Sequence, residues 1–110
     1  MTIDALIKEI PFTILSAGDT SRQITKVFCC DLLSIAMSKA PADCAWVTVM
    51  GNINTLAVAS LADAACVILA EGTVLEDAVV EKAKMQGITV LSTEKPVFDT
   101  ALAVHRLLES

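Results

Sequence analysis

Ile3, Leu6, Ile7 and Ile10 fall at i, i+3, i+4 and i+7, the spacing of one helical face, so the chain opens with a short amphipathic helix. Pro11 stops it, because proline lacks the N–H that a further turn would donate. Phe12 to Ser16 is a short apolar run that enters the turn-forming cluster Ala17-Gly18-Asp19-Thr20-Ser21, which reads as a strand and then a loop. A second apolar run, Lys26 to Cys30, precedes Asp31, a residue type that caps helices. Leu33, Ala36, Met37 and Ala40 follow at helical spacing, up to Pro41.

Beyond this point the pattern becomes regular. Ala45 to Met50 reads as a buried strand, Gly51-Asn52-Ile53-Asn54 as a turn and Thr55 to Ala62 as a helix. Cys66 to Ala70 gives the next strand and Glu71-Gly72-Thr73 the next turn. The helix after it turns Leu75, Ala78, Val79 and Ala83 inward and Glu76, Glu81, Lys82 and Lys84 outward, with Gly87 suited to its C-cap. Ile88 to Leu91 is the last strand, Ser92-Thr93-Glu94-Lys95 its turn, and Pro96 a first-turn residue of a helix whose Val97, Ala101, Val104 and Leu108 share a face. Three consecutive strand–loop–helix units with nearly continuous apolar strands require crossovers, and their strands are covered on both sides. The expected architecture is α/β, a three-layer α/β/α sandwich with a mainly parallel sheet, forming one domain over residues 1–110.

Composition removes several classes of function. With 55% apolar residues the chain can bury a core without disulfides or metal. Its net charge of −5, with no basic stripe, argues against nucleic acid and against docking on an anionic membrane. Leu56 to Ala70 is the most apolar stretch, but Asp63 interrupts it and it is too short to span a bilayer. The N-terminus, with Asp4, Lys8 and Glu9, lacks the pattern of a signal peptide, which implies a cytoplasmic protein. A small chain this apolar is also expected to leave some apolar surface for a homodimer.

Candidate chemistry is sparse. Cys29, Cys30, Cys44 and Cys66 form no CxxC pair, so core packing without metal is expected. His105, the one histidine, lies near the end of the last helix, where a positive charge meets the negative end of the helix dipole. Gly18, Gly51, Gly72 and Gly87 are spread one per turn and make neither phosphate-binding glycine motif. Glu76 and Asp77 suit an early helical turn, Met37, Met50 and Met85 suit core filling, and Trp46 suits the core or a subunit interface. No catalytic residue and no cofactor is assigned.

What remains is positional. Parallel sheets bind ligands beyond the carboxyl ends of their strands, where loops meet helix N-termini. The candidate ligand-binding residues there are Gly51, Asn52, Asn54 and Thr55, with Gly72, Thr73, Thr93 and Glu94. With Asn54 as N-cap, the amides of Thr55, Leu56 and Ala57 would be free for an anion. Glu71 and Glu94 at the rim favour a small, modestly charged ligand or a peptide segment over a polyphosphate. The alternative is that Asn54, Thr73 and Thr93 only cap their helices.

The segments Trp46-Val47-Thr48-Val49, Gly51 to Ala59, Ala65 to Gly72 and Ala83 to Thr93 resemble the DRTGG domain, over about Asp19 to Leu107. The family's eponymous motif would fall at Gly51 to Thr55, which here reads Gly-Asn-Ile-Asn-Thr. The resemblance implies a non-catalytic regulatory module with a fold similar to the N-terminal domain of HPr kinase. Such domains sit beside CBS pairs in inorganic pyrophosphatases, at the N-terminus of some phosphotransacetylases, and in stand-alone proteins associated with iron hydrogenase systems of anaerobes. The function expected is therefore regulatory or ligand-sensing. The alternative is a structural interaction protein or adaptor subunit without a small-molecule ligand.

Overall fold

A computed structural model describes all residues, 1–110. In chain order the elements are α1 (Ile3–Glu9), β1 (Thr13–Ser16), β2 (Lys26–Cys29), α2 (Leu33–Lys39), β3 (Cys44–Thr48), α3 (Ile53–Ala62), β4 (Cys66–Leu69), α4 (Asp77–Gln86), β5 (Val90–Ser92) and α5 (Val97–Glu109). The strands form one sheet in the order β1-β5-β4-β3-β2. β2, β3, β4 and β5 run parallel, and β1 joins the β5 edge antiparallel. The three-layer α/β/α sandwich read from the apolar pattern is the architecture observed.

Alternation along the central strands explains why they read as continuous apolar runs. Cys44 and Trp46 of β3, and Val67 and Leu69 of β4, enter the core shared with α2, α3 and α4. Ala45 and Val47, with Cys66 and Ile68, enter the opposite core beneath α1 and α5. With both faces covered, a polar position survives only where its hydroxyl finds a partner, as Thr48 does by donating to Asp31 Oδ1 at 2.7 Å.

Several expectations shift for identifiable reasons. β3 begins at Cys44 and ends at Thr48, short of Met50, because Asp31 Oδ1 takes the Val49 N–H at 3.0 Å and turns the chain out of the sheet. That bond also removes Asp31 as an N-cap; Leu32 holds that position in α2 and caps with no side-chain bond. α4 begins at Asp77, so Leu75 is buried from the preceding loop and Ala78 is exposed rather than inward. Pro96 occupies the N-cap position of α5, one residue before the first turn. Met37 and Met85 are exposed, because each lies on the outer face of its helix. Trp46, by contrast, is fully buried and donates its indole N–H to Cys30 O at 3.0 Å, so it belongs to the core and not to a subunit interface.

The first helix is tied down through the β1–β2 loop. Ile3 N–H donates to Arg22 O and Asp4 N–H to Thr20 O, which satisfies donors that a helix start leaves unpartnered. No helix is long and apolar enough to cross a membrane.

Candidate functional site

All four parallel strands deliver their following loops to one edge of the sheet, and side chains stitch those loops together. Asp31 after β2 reaches Val49 after β3, as described above. Gly51 lies against the β4–α4 loop so closely that a Cβ would sit 3.1 Å from Thr73 Cγ2 and 3.3 Å from Val74 O. The close approach that Gly51 permits is therefore to its own chain, not to a ligand. Glu71 after β4 accepts from Val97 N–H at the start of α5 through Oε2, at 2.9 Å. Its own N–H donates to Lys95 O, and Gly72 N–H donates to Thr93 O. These bonds hold Glu71 at φ +61, a left-handed conformation that costs a residue with a Cβ roughly 1–2 kcal/mol.

The start of α3 corrects the sequence reading most directly. Its N-cap is Asn52, whose side chain accepts from the N–H groups of Asn54 and Thr55 at 3.0 and 3.2 Å. Asn54 is a solvent-facing residue inside the first turn and caps nothing. Thr55 is buried, and its hydroxyl donates to Met50 O at 2.7 Å. The amides thought free for an anion at Thr55 are thus occupied by the chain itself. Thr73 does not cap α4 either, since its hydroxyl donates back to Ala70 O at 2.8 Å. Thr93 Oγ1 accepts from Lys95 N–H and leaves the start of α5 to Glu71.

Four of the eight sequence-derived residues do converge. Gly72, Thr73, Thr93 and Glu94 line a cleft of about 330 Å³, closed by Thr13 and Leu15 of β1, Ser92 of β5, and Val74 and Leu75. Glu94 covers Gly72, at φ +70, so tightly that a Cβ there would approach its Oε2 to 2.5 Å. Gly51 backs the β4–α4 loop without lining this cleft, and Asn52, Asn54 and Thr55 stand apart from it, at the start of α3. The wall from β1 was missed in the sequence because nothing in a run of four residues says that it returns antiparallel beside β5.

A second cavity, of about 220 Å³, opens at the opposite edge between Asp19, Arg22, Asp63, Gln86 and Thr89. Here Arg22 donates through Nε and Nη2 to Asp43 Oδ1 at 3.2 and 2.8 Å and pairs with Asp63 at 3.0 Å. The guanidinium's charge is opposed by burial but held by these carboxylates, so its pKa rises further. Cys44 and Cys66 start the adjacent strands β3 and β4 and face opposite cores. Burial pushes the Cys44 thiol up to about 11 and the Cys66 thiol up to about 12, which keeps both protonated and poorly nucleophilic at neutral pH. His105 is exposed on α5, 3.5 Å from Glu109, and lines neither the cleft nor the second cavity. No group of three or more His, Cys, Asp or Glu side chains is placed to hold a metal ion.

The DRTGG domain model matches residues 5–107. The chain belongs to the DRTGG domain family. The match begins within α1, earlier than the Asp19 start read from the sequence, so the helix that covers the β1–β2 loop is part of the domain. No curated protein matches the sequence significantly. Among solved structures, the chain is similar to the CBS and DRTGG domains of the regulatory region of Clostridium perfringens pyrophosphatase, complexed with its activator diadenosine tetraphosphate. The TM-score is 0.68 at 13% identity, over 97% of this chain and 45% of that one. At that identity the likeness is one of fold, and this DRTGG domain spans less than half of the chain that it resembles.

Proposed function

We propose that this DRTGG domain is a regulatory, ligand-sensing module without catalytic activity of its own, and that its ligand enters the 330 Å³ cleft at the carboxyl edge of the sheet. The observation that carries the reading is the convergence of Gly72, Thr73, Thr93 and Glu94, from the loops of two adjacent strands, on a single cleft at the edge where parallel sheets bind ligands. The pyrophosphatase relative supports it, being a regulatory region complexed with an activator. The thiols and the one histidine lie outside the cleft, with the buried thiols held protonated, and no hydroxyl of its lining bonds Glu94 as a nucleophile would bond its base. Glu94 inside the cleft and Glu71 beside it favour a small ligand of modest charge, or one carrying an amine, over a polyphosphate.

The reading includes a cytoplasmic homodimer, and light scattering that finds only monomer at micromolar concentration would remove the dimer. An association with an anaerobic hydrogenase or redox system is carried by the family resemblance, and its test is co-purification with that system. The deciding experiment is a thermal-shift screen of amines, amino acids, nucleotides and diadenosine tetraphosphate. A ligand at ten times its Kd stabilises the fold by about 1.4 kcal/mol and raises Tm by about 5 °C in a domain of this size. Replacing Thr93 by Val should erase that shift. A screen without any shift would leave the second reading, an adaptor with no small-molecule ligand.

A further inference from the structure

Large apolar side chains stand exposed on the loops and helix starts that follow three adjacent strands. They are Leu32 after β2, 54% exposed, Val49 and Ile53 after β3, 36% and 46% exposed, and Val74 after β4, 84% exposed. Single exposed apolar residues are ordinary, but these four belong to loops joined to one another. Asp31 bonds Val49 N–H, and Thr73 and Val74 lie against Val49 O and Gly51. Leu32, Val49 and Ile53 line neither the cleft nor the second cavity, and Val74 stands at the cleft's wall, so together they make an outward crest that suits a flat apolar surface rather than an enclosed small molecule.

The charge of the same edge selects the occupant. The loops after β2, β3, β4 and β5, with the first turns of the helices they open, carry Asp31, Glu71, Glu76, Asp77, Glu94 and Asp99 against the single cation Lys95. A second copy of this chain placed face to face on the crest would bring carboxylates against carboxylates, and an anionic surface would meet the same repulsion. At α3 and α5 the helix starts offer an anion no relief, since Asn52 takes the Asn54 and Thr55 amides and Glu71 takes the Val97 amide; α2 and α4 have no side-chain cap, but Asp31 precedes the one and Glu76 and Asp77 open the other.

We propose that the crest Leu32, Val49, Ile53 and Val74 is a docking surface for a protein segment that carries Lys or Arg beside apolar side chains. The inference rests on the regulatory reading, and it supplies the contact through which such a module passes its signal. Val74 belongs both to the crest and to the wall of the cleft, so a ligand in the cleft touches the docking surface directly.

The test is titration of the isotope-labelled full chain, followed by NMR, with three peptides: amphipathic Lys/Leu and Glu/Leu peptides, and a Lys/Gly peptide that keeps the charge without apolar side chains. The Lys/Leu peptide should shift the amides of Leu32, Val49, Ile53 and Val74, with affinity falling at higher salt. The Glu/Leu and Lys/Gly peptides should bind at least tenfold more weakly. Val74→Asp, on an exposed loop position, should weaken Lys/Leu binding about tenfold, while Leu61→Asp at the opposite edge should leave it unchanged. Equal binding of the Glu/Leu peptide, shifts scattered away from the crest, or crest shifts that follow protein concentration alone would overturn the proposal, the last by making the occupant a second copy. The peptide titration needs no cleft ligand, so its failure beside a positive thermal shift removes the docking surface and leaves ligand sensing standing. The reverse pair of outcomes removes the ligand and leaves the docking surface.

Discussion

At the amino-terminal edge of the parallel strands, Arg22 gathers Asp43 and Asp63, Gly18 packs on the Gly87 backbone, and Cys44 and Cys66 are buried at the strand starts. Its charges balance, with Arg22, Lys26, Lys39 and Lys84 set against Asp19, Asp43, Asp63 and Glu81, the last 3.7 Å from Lys84. At the carboxyl edge the loops are also bonded to one another, yet they carry nearly all of the chain's net negative charge, an apolar crest, a cleft and the two accessible cysteines, Cys29 and Cys30. One edge ties its loops together through charge pairing and backbone contact around the 220 Å³ cavity. The other caps α3 and α5 from its own loops and leaves the starts of α2 and α4, and the carboxylates of Glu76, Asp77, Glu94 and Asp99, without a side-chain partner. If the carboxyl edge holds the proposed site, stability and function are separable along the strand direction, and variants at the two edges should behave differently.

The largest contrast is between two glycines. A Cβ at Gly18 would sit 2.0 Å from Gly87 O, a backbone atom that cannot move without opening the junction in which Gly18 N–H bonds Thr89 Oγ1 and Ser16 bonds Ile88 O. Gly18→Ala should cost about 3 kcal/mol or more, read as a lower urea midpoint. A Cβ at Gly72 meets only the flexible end of Glu94, so Gly72→Ala should cost about 1 kcal/mol, mostly from its left-handed φ of +70, and should act chiefly on ligand affinity. Equal losses at both positions would show that the carboxyl edge is as tightly built as the other.

The cysteines extend the contrast into pH. Because Cys66 keeps its proton to about pH 12 in the folded chain, while an unfolded thiol loses it near 9.0, stability is complete below pH 9 and falls as the pH climbs toward 12. For a fully buried thiol the loss approaches roughly 4 kcal/mol, and Cys44 adds to it between 9.0 and about 11. Cys66→Ala should therefore flatten the alkaline limb of the stability profile relative to the parent, whatever it costs at neutral pH. Iodoacetamide should label Cys29 and Cys30 in the native chain and reach Cys44 and Cys66 only on unfolding. Rapid native labelling of Cys66 would contradict the closed amino edge.

Arg22→Met tests the pairing itself. It removes charge-assisted bonds to Asp43 and Asp63, which sit at φ +63 and +59, and leaves two left-handed loops without their clamp. With Arg22 about a quarter exposed and Asp63 mostly in solvent, screening holds the expected loss to about 2 kcal/mol, shrinking with added salt.

Much of this was readable in the sequence, and the limit of legibility is physical. Continuous apolar runs and period-3.6 patterns report burial, so the central strands and the faces of α1 and α5 could be read from Trp46, Val47, Ile68, Leu6 and Val104. Loops have no such period. At each loop several residues were able to cap, and the outcome turned on contacts between elements distant in sequence: Asp31 was drawn to Val49 across the sheet, and Glu71 served the helix after the next strand. The cleft's β1 wall was hidden for the same reason, since strand order is a tertiary fact. Trp46 was legible as core or interface but not as which of the two, because its partner, Cys30 O, lies on another strand end.

The smallest effect expected is at the start of α3, and it separates two asparagines that look alike in sequence. Asn52 accepts from the amides of Asn54 and Thr55, so Asn52→Ala should cost about 1 kcal/mol. Asn54 is exposed within the first turn and bonds nothing with its side chain, so Asn54→Ala should change stability by less than about 0.5 kcal/mol. The same pair tests why the carboxyl edge disfavours anions. Removing the Asn52 side chain uncovers the Asn54 amide at a helix N-terminus, while Thr55 N–H keeps its bond to Asn52 O, so inorganic phosphate should stabilise Asn52→Gly more than the parent in a thermal shift. Identical phosphate responses would mean that the surrounding carboxylates alone keep anions away from this edge, and the internal cap would then have only a structural part.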